Sequence, residues 1–328
     1  MSDLSGESID GECGELLKKY FLGTLRNGYK RYRGVTLPSH YGNYADKVEN
    51  FEVRNEDVWV ISYPKTGTTW TQEMVWCIMN NLDFEKAKEF LPERFPFLEF
   101  TCLFDYSDVI RRKPDINLPP FVKDSLNFIN NLKSTRFIKT HLPWDLLPVS
   151  IRKGDKQPKI IYVCRNAKDT CVSYFHHTIL LEGYTGNFND FCKLFLEDSV
   201  CFSPFWSHIE GFWKRRNQSN VLFIKYEDMK ENLAGVIEQT AQFLDKKLSP
   251  EQIKTLCHHL SFESMKNNPS VNYEAILEVN RIYNLIPADG EFMRKGTGGE
   301  WKEKMPNEIV EKFNKWIETN LKERNIQL

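Results

Sequence analysis

Ser62-Tyr63-Pro64-Lys65-Thr66-Gly67-Thr68-Thr69-Trp70 is the stretch from which the rest of the chain is read. Asp57-Val58-Trp59-Val60-Ile61 precedes it, short, β-rich and apolar enough for a buried strand. After it, Trp70, Met74, Cys77 and Ile78 recur at helical spacing, which predicts a helix from Thr68 to about Asn80. A strand that stops, turns through Pro64 and Gly67 and enters a helix at a threonine pair forms an anion cradle. Its backbone N–H groups and the positive helix end face one concavity. Lys65 adds a full charge, and Thr66, Thr68 and Thr69 add hydroxyls.

The nearest general pattern, G-x-x-x-x-G-K-[ST] of nucleotide triphosphate loops, does not match. The lysine comes before the glycine and the first glycine is missing. Taken alone, the stretch fits a Gly/Pro turn with a solvated lysine equally well. Strand, turn with an early lysine, then helix resembles the phosphosulfate loop of the cytosolic sulfotransferase family, through Tyr63-Pro64-Lys65-Thr66-Gly67-Thr68-Thr69-Trp70.

The chain has 328 residues, 41% hydrophobic and 27% charged, ample for one large α/β domain or two smaller ones. A net charge of −1 gives no global attraction to nucleic acid or anionic membrane, so an anion site must come from local placement of Lys and Arg. None of the eight cysteines forms a C-x-x-C pair, which speaks against a zinc knuckle or a redox motif. Reduced thiols in a cytoplasmic protein are the simplest reading. Met1 to Glu15 is acidic and polar, unlike a secretory signal. No apolar run approaches the roughly 20 residues that cross a bilayer.

Further segments resemble the same family, in the family's order. Arg136-Phe137-Ile138-Lys139-Thr140-His141-Leu142-Pro143 reads as a second strand ending in Lys139 and His141, which share one face of extended chain. Lys-Thr-His-Leu-Pro resembles the family's motif for its catalytic base. Lys159-Ile160-Ile161-Tyr162-Val163-Cys164 reads as a third strand, apolar on both faces as in a parallel sheet. It runs into Arg165, which suits bidentate binding of a phosphate, with Ser173 about two helical turns further on. Val221 to Met229 reads as a fourth strand ending in Tyr226-Glu227-Asp228-Met229; Tyr226 alone fits a core aromatic equally well. Ser261-Phe262-Glu263-Ser264-Met265 matches another family segment, where Leu260 replaces the usual Thr and one adenine hydrogen bond is expected to be missing. Arg294-Lys295-Gly296 supplies two cations and a glycine that lets backbone approach a phosphate.

Strands alternating with helices predict an α/β fold with a central, mostly parallel sheet flanked by helices. Residues 1–328 read as a single domain. Residues 1–35 form a lead-in with a helix around Leu16 to Leu25. Residues 83–133, where aromatics alternate with prolines, read as loops: mostly core packing, with a lid over an apolar acceptor pocket as the functional reading. Pro306 is expected at the first position of a final helix whose Ile309, Phe313, Trp316 and Leu321 face the core. The family's dimer motif is Lys-x-x-x-Thr-Val-x-x-x-Glu. Lys302 and Glu311 keep its ends but Pro306-Asn307 replace Thr-Val, so the motif leaves a homodimer open.

The resemblance implies the donor 3′-phosphoadenosine 5′-phosphosulfate (PAPS), the product 3′-phosphoadenosine 5′-phosphate (PAP) and no metal. It places Lys65, Thr66, Gly67, Thr68, Thr69 and Trp70 at the phosphosulfate end. Arg165, Ser173, Arg294, Lys295 and Gly296 fall at the 3′-phosphate, and Tyr226, Phe262 and Met265 at the adenine. It gives His141 as general base, Lys65 and Lys139 as charge stabilisers, and Ser173 as a residue steering Lys65. The acceptor is a hydroxyl on a small aromatic or hydrophobic molecule: a phenol, alcohol or steroid-like compound. Two other classes remain. A nucleotide kinase would need Mg²⁺, usually held by an acid at a strand end, where this chain has Arg165. A non-catalytic nucleotide-binding protein would lose nothing with His141.

Overall fold

The computed structural model describes residues 5–133, 135–286 and 290–328; Met1 to Leu4 of the acidic N-terminus lie outside them. Seven strands form two sheets among the described residues. Glu7–Ser8 (β1), Tyr29–Tyr32 (β2) and Val35–Pro38 (β3) make a small antiparallel sheet in that order. Val58–Ser62 (β4), Phe137–Thr140 (β5), Lys159–Cys164 (β6) and Val221–Lys225 (β7) make the central sheet in the order β5-β4-β6-β7, every pair parallel.

The central sheet buries both faces, which is why its strands read as unbroken apolar runs. Trp59 and Ile61 of β4 join Ile160 and Tyr162 of β6 in one core cluster. The alternate residues Val58, Val60, Ile161 and Val163 join Ile224 of β7 in a second cluster. The period-2 alternation of side chains thus feeds two cores from one strand. Helices Thr68–Met79, Ala167–Glu182, Leu233–Phe243 and Asn307–Arg324 flank the sheet.

Parallel pairing in this register sets the ends of all four strands along one edge. Ile61 lies opposite Thr140, Ser62 opposite Val163, and Cys164 opposite Lys225. Residues following strand ends in such a sheet meet in the crevice beyond its carboxyl edge. His141, Arg165, Tyr226 and the loop after Ser62 therefore come together by topology.

Four expectations need correction. The N-terminal helix spans Gly11–Tyr20 rather than Leu16 to Leu25. The lead-in is built into the fold: it carries the small antiparallel sheet, and Leu17, Phe21, Leu25 and Tyr32 are buried. A two-residue strand paired with residues more than twenty positions away leaves no local periodicity to read. Residues 83–133 are not loop alone but a series of single-turn helices, among them Leu91–Arg94, Phe100–Leu103 and Ser125–Asn130. Turns this short carry too few residues for a helical period. Pro306 stands just before the final helix, as its N-cap, instead of at its first position.

Among the described residues no helix is long and apolar enough to cross a membrane.

Candidate active site

The loop between β4 and the Thr68–Met79 helix holds a tight, strained path. Lys65 has φ +67° and Gly67 has φ +107°, both in the left-handed region. A Cβ on Gly67 would meet the Tyr226 ring at 2.8 Å, so glycine is required by conformation and by packing. Thr66 corrects an expectation. Its hydroxyl is fully buried and donates to the carbonyls of Tyr63 at 2.8 Å and Val163 at 3.0 Å. It pins the loop to β6 rather than offering a hydroxyl to an anion. Thr68 pairs its hydroxyl with that of Ser62 at 2.6 Å. The first N–H groups of the helix, from Thr68 on, have no intrahelical acceptor and face the concavity.

A cavity of about 300 Å³ lies at this edge. Every residue that the sequence placed at the site, Thr66 excepted, lines it: Lys65, Gly67, Thr68, Thr69, Trp70, Lys139, His141, Arg165, Ser173, Tyr226, Phe262, Met265, Arg294, Lys295 and Gly296. Leu260 lines it too. Segments as far apart as Lys65 and Gly296 thus share one wall.

His141 is held in one orientation. Its Nδ1 lies 2.7 Å from the Ser62 carbonyl oxygen, which can only accept, so Nδ1 carries the proton. Nε2 is left with its lone pair. Burial and the nearby Lys139 hold its pKa well below the usual imidazole range. The ring therefore stays neutral at physiological pH.

Two groups fix the His141 backbone, and the sequence reading missed both. The buried Glu99 accepts from the His141 N–H at 2.6 Å and from the Thr140 hydroxyl at 2.8 Å. Burial raises its pKa to about 7. Glu99 reaches this place because Pro96 to Leu98 runs along the free edge of β5. Lys139 N–H donates to Pro96 and Leu98 N–H donates back to Lys139, each at 2.9 Å. His208 Nε2–H donates to the His141 carbonyl at 2.9 Å, and the Tyr162 hydroxyl donates to His208 Nδ1 at 2.9 Å. Neither residue stands beside a motif, so no local signal marks them.

The cations crowd one another. Burial, then Lys139, Arg165 and Arg294, lowers the Lys65 pKa to about 7. Burial lowers Lys139 to about 8. Each ammonium rests on an aromatic face: Lys65 Nζ is 3.8 Å from the Phe292 ring centroid and Lys139 Nζ 4.3 Å from that of Phe97. Arg165 stacks over Tyr226 at 4.4 Å, and its buried Nε has no partner. A buried donor without an acceptor beside several like charges is chemistry that awaits an anion. The residues fit an anionic donor on that ground.

Arg294 and Lys295 are not free. Arg294 makes a two-pronged pair with Glu300, at 2.8 and 2.6 Å, and Lys295 Nζ lies 3.8 Å from the same carboxylate. Gly296 has φ +62°, and a Cβ there would come within 2.1 Å of the Phe262 ring. The glycine is demanded by Phe262, a reason the sequence did not disclose. Asp169 accepts from the Gly299 N–H at 2.8 Å, tying this loop to the Ala167–Glu182 helix. A part-buried ion pair of this kind is worth about 1 kcal/mol, roughly fivefold in affinity. Glu300→Gln is therefore expected to tighten PAP about fivefold, and Arg294→Ala to weaken it. Equilibrium titration of both variants checks this; equal affinity in all three proteins would refute the competition.

One further cluster, Glu73, Cys77 and His259, has metal-ligand chemistry. Its carboxylate already pairs with the buried Arg94 at 2.5 Å and with His259 at 2.7 Å. A cation seated on Glu73 argues for a structural network.

A parallel α/β sheet whose carboxyl edge carries a strand–loop–helix anion cradle and a tethered neutral histidine defines a nucleotide-dependent group transferase. The sulfotransferase domain model matches residues 55–325. Luciferin sulfotransferase of Photinus pyralis is 42% identical over 312 residues, covering 94% of this chain and 84% of that protein. Sulfotransferase 1E1 of Homo sapiens is 36% identical over 302 residues, covering 91% and 95%. A crystal structure of retinol dehydratase with retinol and PAP matches with a TM-score of 0.87 at 32% identity, covering 99% of this chain and 98% of that one. A second crystal structure of retinol dehydratase holds androsterone and PAP. The chain belongs to the sulfotransferase family, and its activity is sulfuryl transfer.

Proposed function

We propose that this enzyme moves the sulfuryl group of PAPS to a hydroxyl of a small, largely apolar acceptor, with His141 as general base. The observation that carries this reading is the His141 ring, its Nδ1 tied to Ser62 and its Nε2 unprotonated, on the same cavity wall as Lys65 and Lys139. The donor supplies an electrophilic sulfur and, after transfer, PAP. Lys65, with the first N–H groups of the Thr68–Met79 helix, holds the phosphosulfate end. Arg165, Ser173, Arg294 and Lys295 hold the 3′-phosphate, and Tyr226, Phe262 and Met265 flank the adenine.

His141 Nε2 takes the acceptor's hydroxyl proton as the oxygen attacks. Lys65 stabilises the charge that grows on the oxygen leaving with PAP. Lys139 screens the transferring group. Ser173, which lines the same cavity from the Ala167–Glu182 helix, directs the Lys65 ammonium. Phe97, Phe100, Phe104, Tyr106 and Phe121 line the cavity, which supports residues 83–133 as the cover of the acceptor site. Relatives crystallised with retinol and androsterone support an apolar acceptor. Eight free thiols support a reducing, cytoplasmic setting.

The test is incubation with radiolabelled PAPS, a panel of phenols and alcohols, and excess chelator. Sulfated product is expected. Absence of product from every acceptor, with a phosphorylated product from ATP and Mg²⁺ instead, would establish the kinase reading.

The lowered lysines give a second expectation. In the free protein Lys65 titrates at about 7 and Lys139 at about 8, so both are partly neutral near pH 8. A polyanion favours the charged forms and raises both pKa values. Binding PAP near pH 8 therefore takes up protons, and affinity falls as pH rises further. Calorimetry in buffers of different protonation enthalpy reads the uptake. Release, or no buffer dependence, would refute it.

A further inference from the structure

The cavity has a second polar point that sulfuryl transfer does not use. Arg26, His177 and Glu182 line it among apolar neighbours such as Leu25, Phe104 and Leu180. Glu182 lies nine residues beyond Ser173 on the Ala167–Glu182 helix, about 13 Å further along its axis. Glu182 is thus set apart from the donor end, and His177 stands between, one turn beyond Ser173.

Its construction depends on a close meeting of two backbones. Gly183 ends the helix with φ +73°, and a Cβ there would fall 2.6 Å from Gly23 Cα. Leu22 N–H donates to the Gly183 carbonyl at 3.3 Å. This contact brings the N-terminal segment against the helix end and places Arg26 on Glu182.

Arg26 Nη1 lies 2.5 Å from Glu182 Oε2, and the two side chains are 4% and 2% exposed. The Arg26 guanidinium also stacks on Phe104 at 4.4 Å. His177 Nε2 is 3.5 Å from Glu182 Oε1, and a carboxylate there favours the tautomer with the proton on Nε2, which makes Nδ1 an acceptor. Arg26 Nε and Nη1, Glu182 Oε2 and His177 Nδ1 make no regular hydrogen bond, nor does the Tyr29 hydroxyl beside Arg26; Nη1 and Oε2 meet in the ion pair, which leaves the donor Arg26 Nε and the acceptor His177 Nδ1 on cavity-lining side chains.

Each such atom is costly unless something fills it, about 1–3 kcal/mol for a neutral group and more for a charged one. The group is electrically balanced: one guanidinium, one carboxylate and one neutral imidazole. A ligand atom that both accepts and donates matches it. A carboxylate would add an unpaired charge beside Glu182, and an alkyl end would leave both orphans unmet.

We propose that Arg26, His177 and Glu182 form a second anchor for the acceptor, which binds a neutral hydroxyl at the end opposite the one that is sulfated. The acceptor class is then an apolar body with a hydroxyl at each end. This deepens the proposed function and rests on its acceptor site.

The test uses the full chain, PAPS and biphenyls with a phenolic hydroxyl at one end and hydrogen, hydroxyl, methoxy or carboxylate at the other. The distal hydroxyl is expected to raise kcat/KM on the order of 10²-fold over hydrogen, beyond the statistical factor of about two for equal hydroxyls. Methoxy, which accepts but cannot donate, falls between, and carboxylate ranks last. His177→Phe is expected to bring the hydroxyl-to-hydrogen ratio close to the statistical value. The double variant Arg26→Met with Glu182→Met does the same without stranding a buried charge. A structural role would slow all acceptors alike and leave the ratio in place. A wild-type enzyme that does not distinguish hydrogen from hydroxyl, or prefers the carboxylate, overturns the anchor. So does a ratio that survives both variants. If no biphenyl or simple phenol accepts sulfate at all, the proposed function falls with it.

Discussion

His141→Asn is expected to lower kcat by about 10²–10⁴-fold while PAP affinity stays within about twofold. Asparagine can still donate from its side chain to the Ser62 carbonyl, where His141 Nδ1 now sits at 2.7 Å. Glu99 and His208 hold the backbone of residue 141 and are untouched. The variant therefore keeps the wall of the cavity and removes one atom, the Nε2 lone pair. Initial rates with saturating PAPS, set beside a PAP titration, read the two quantities separately. Retained kcat would show that another group takes the proton. A collapse of PAP binding would show that His141 belongs to the donor site instead.

The same residue fixes a pH expectation. Since His141 titrates well below the usual imidazole range, kcat should not fall as pH drops through about 6.5. A base with an ordinary pKa would lose activity there.

Lys65→Met is the second large effect, about 10²–10³-fold in kcat. In the proposed reaction the ammonium meets the charge that appears on the oxygen leaving with PAP, and its burial keeps that interaction weakly screened. Methionine keeps the length of the side chain and its packing on Phe292, where Lys65 Nζ lies 3.8 Å from the ring centroid. Loss therefore reports charge rather than shape. Lys139→Met should cost less in kcat, because Glu99 nearby already offsets part of that charge. A Lys65 variant with a raised KM for PAPS and unchanged kcat would assign the residue to ground-state binding alone. These two variants separate proton removal from charge stabilisation.

The Arg294–Glu300 pair changes how the donor site is understood. Three groups read from sequence as phosphate ligands, Arg294, Lys295 and Gly296, are engaged by Glu300 or Phe262 in this structure. If Arg294 holds the 3′-phosphate as proposed, donor binding exchanges the Glu300 carboxylate for a phosphate on it.

Local sequence was enough for the central sheet and for the segments whose residues line the cavity at its edge. Strands buried on both faces are continuous apolar runs, and each motif stands directly after its strand. Parallel topology does the rest: strand ends align, so Lys65, His141, Arg165 and Tyr226 meet without any long-range signal being needed. Chemistry-bearing residues at chain-order positions fixed by a sheet edge are therefore readable one segment at a time.

Tertiary structure decided what depends on pairs from unrelated segments. Glu99 supports His141 only because Pro96 to Leu98 lies along the edge of β5. Thr66 turns inward because Val163 offers it a carbonyl. Arg26 meets Glu182 because two glycines let a lead-in segment pack on a helix end. Sequence carries a residue's chemistry and its local conformation, whereas a hydrogen bond across a hundred residues exists only once hydrophobic burial has brought the two elements together.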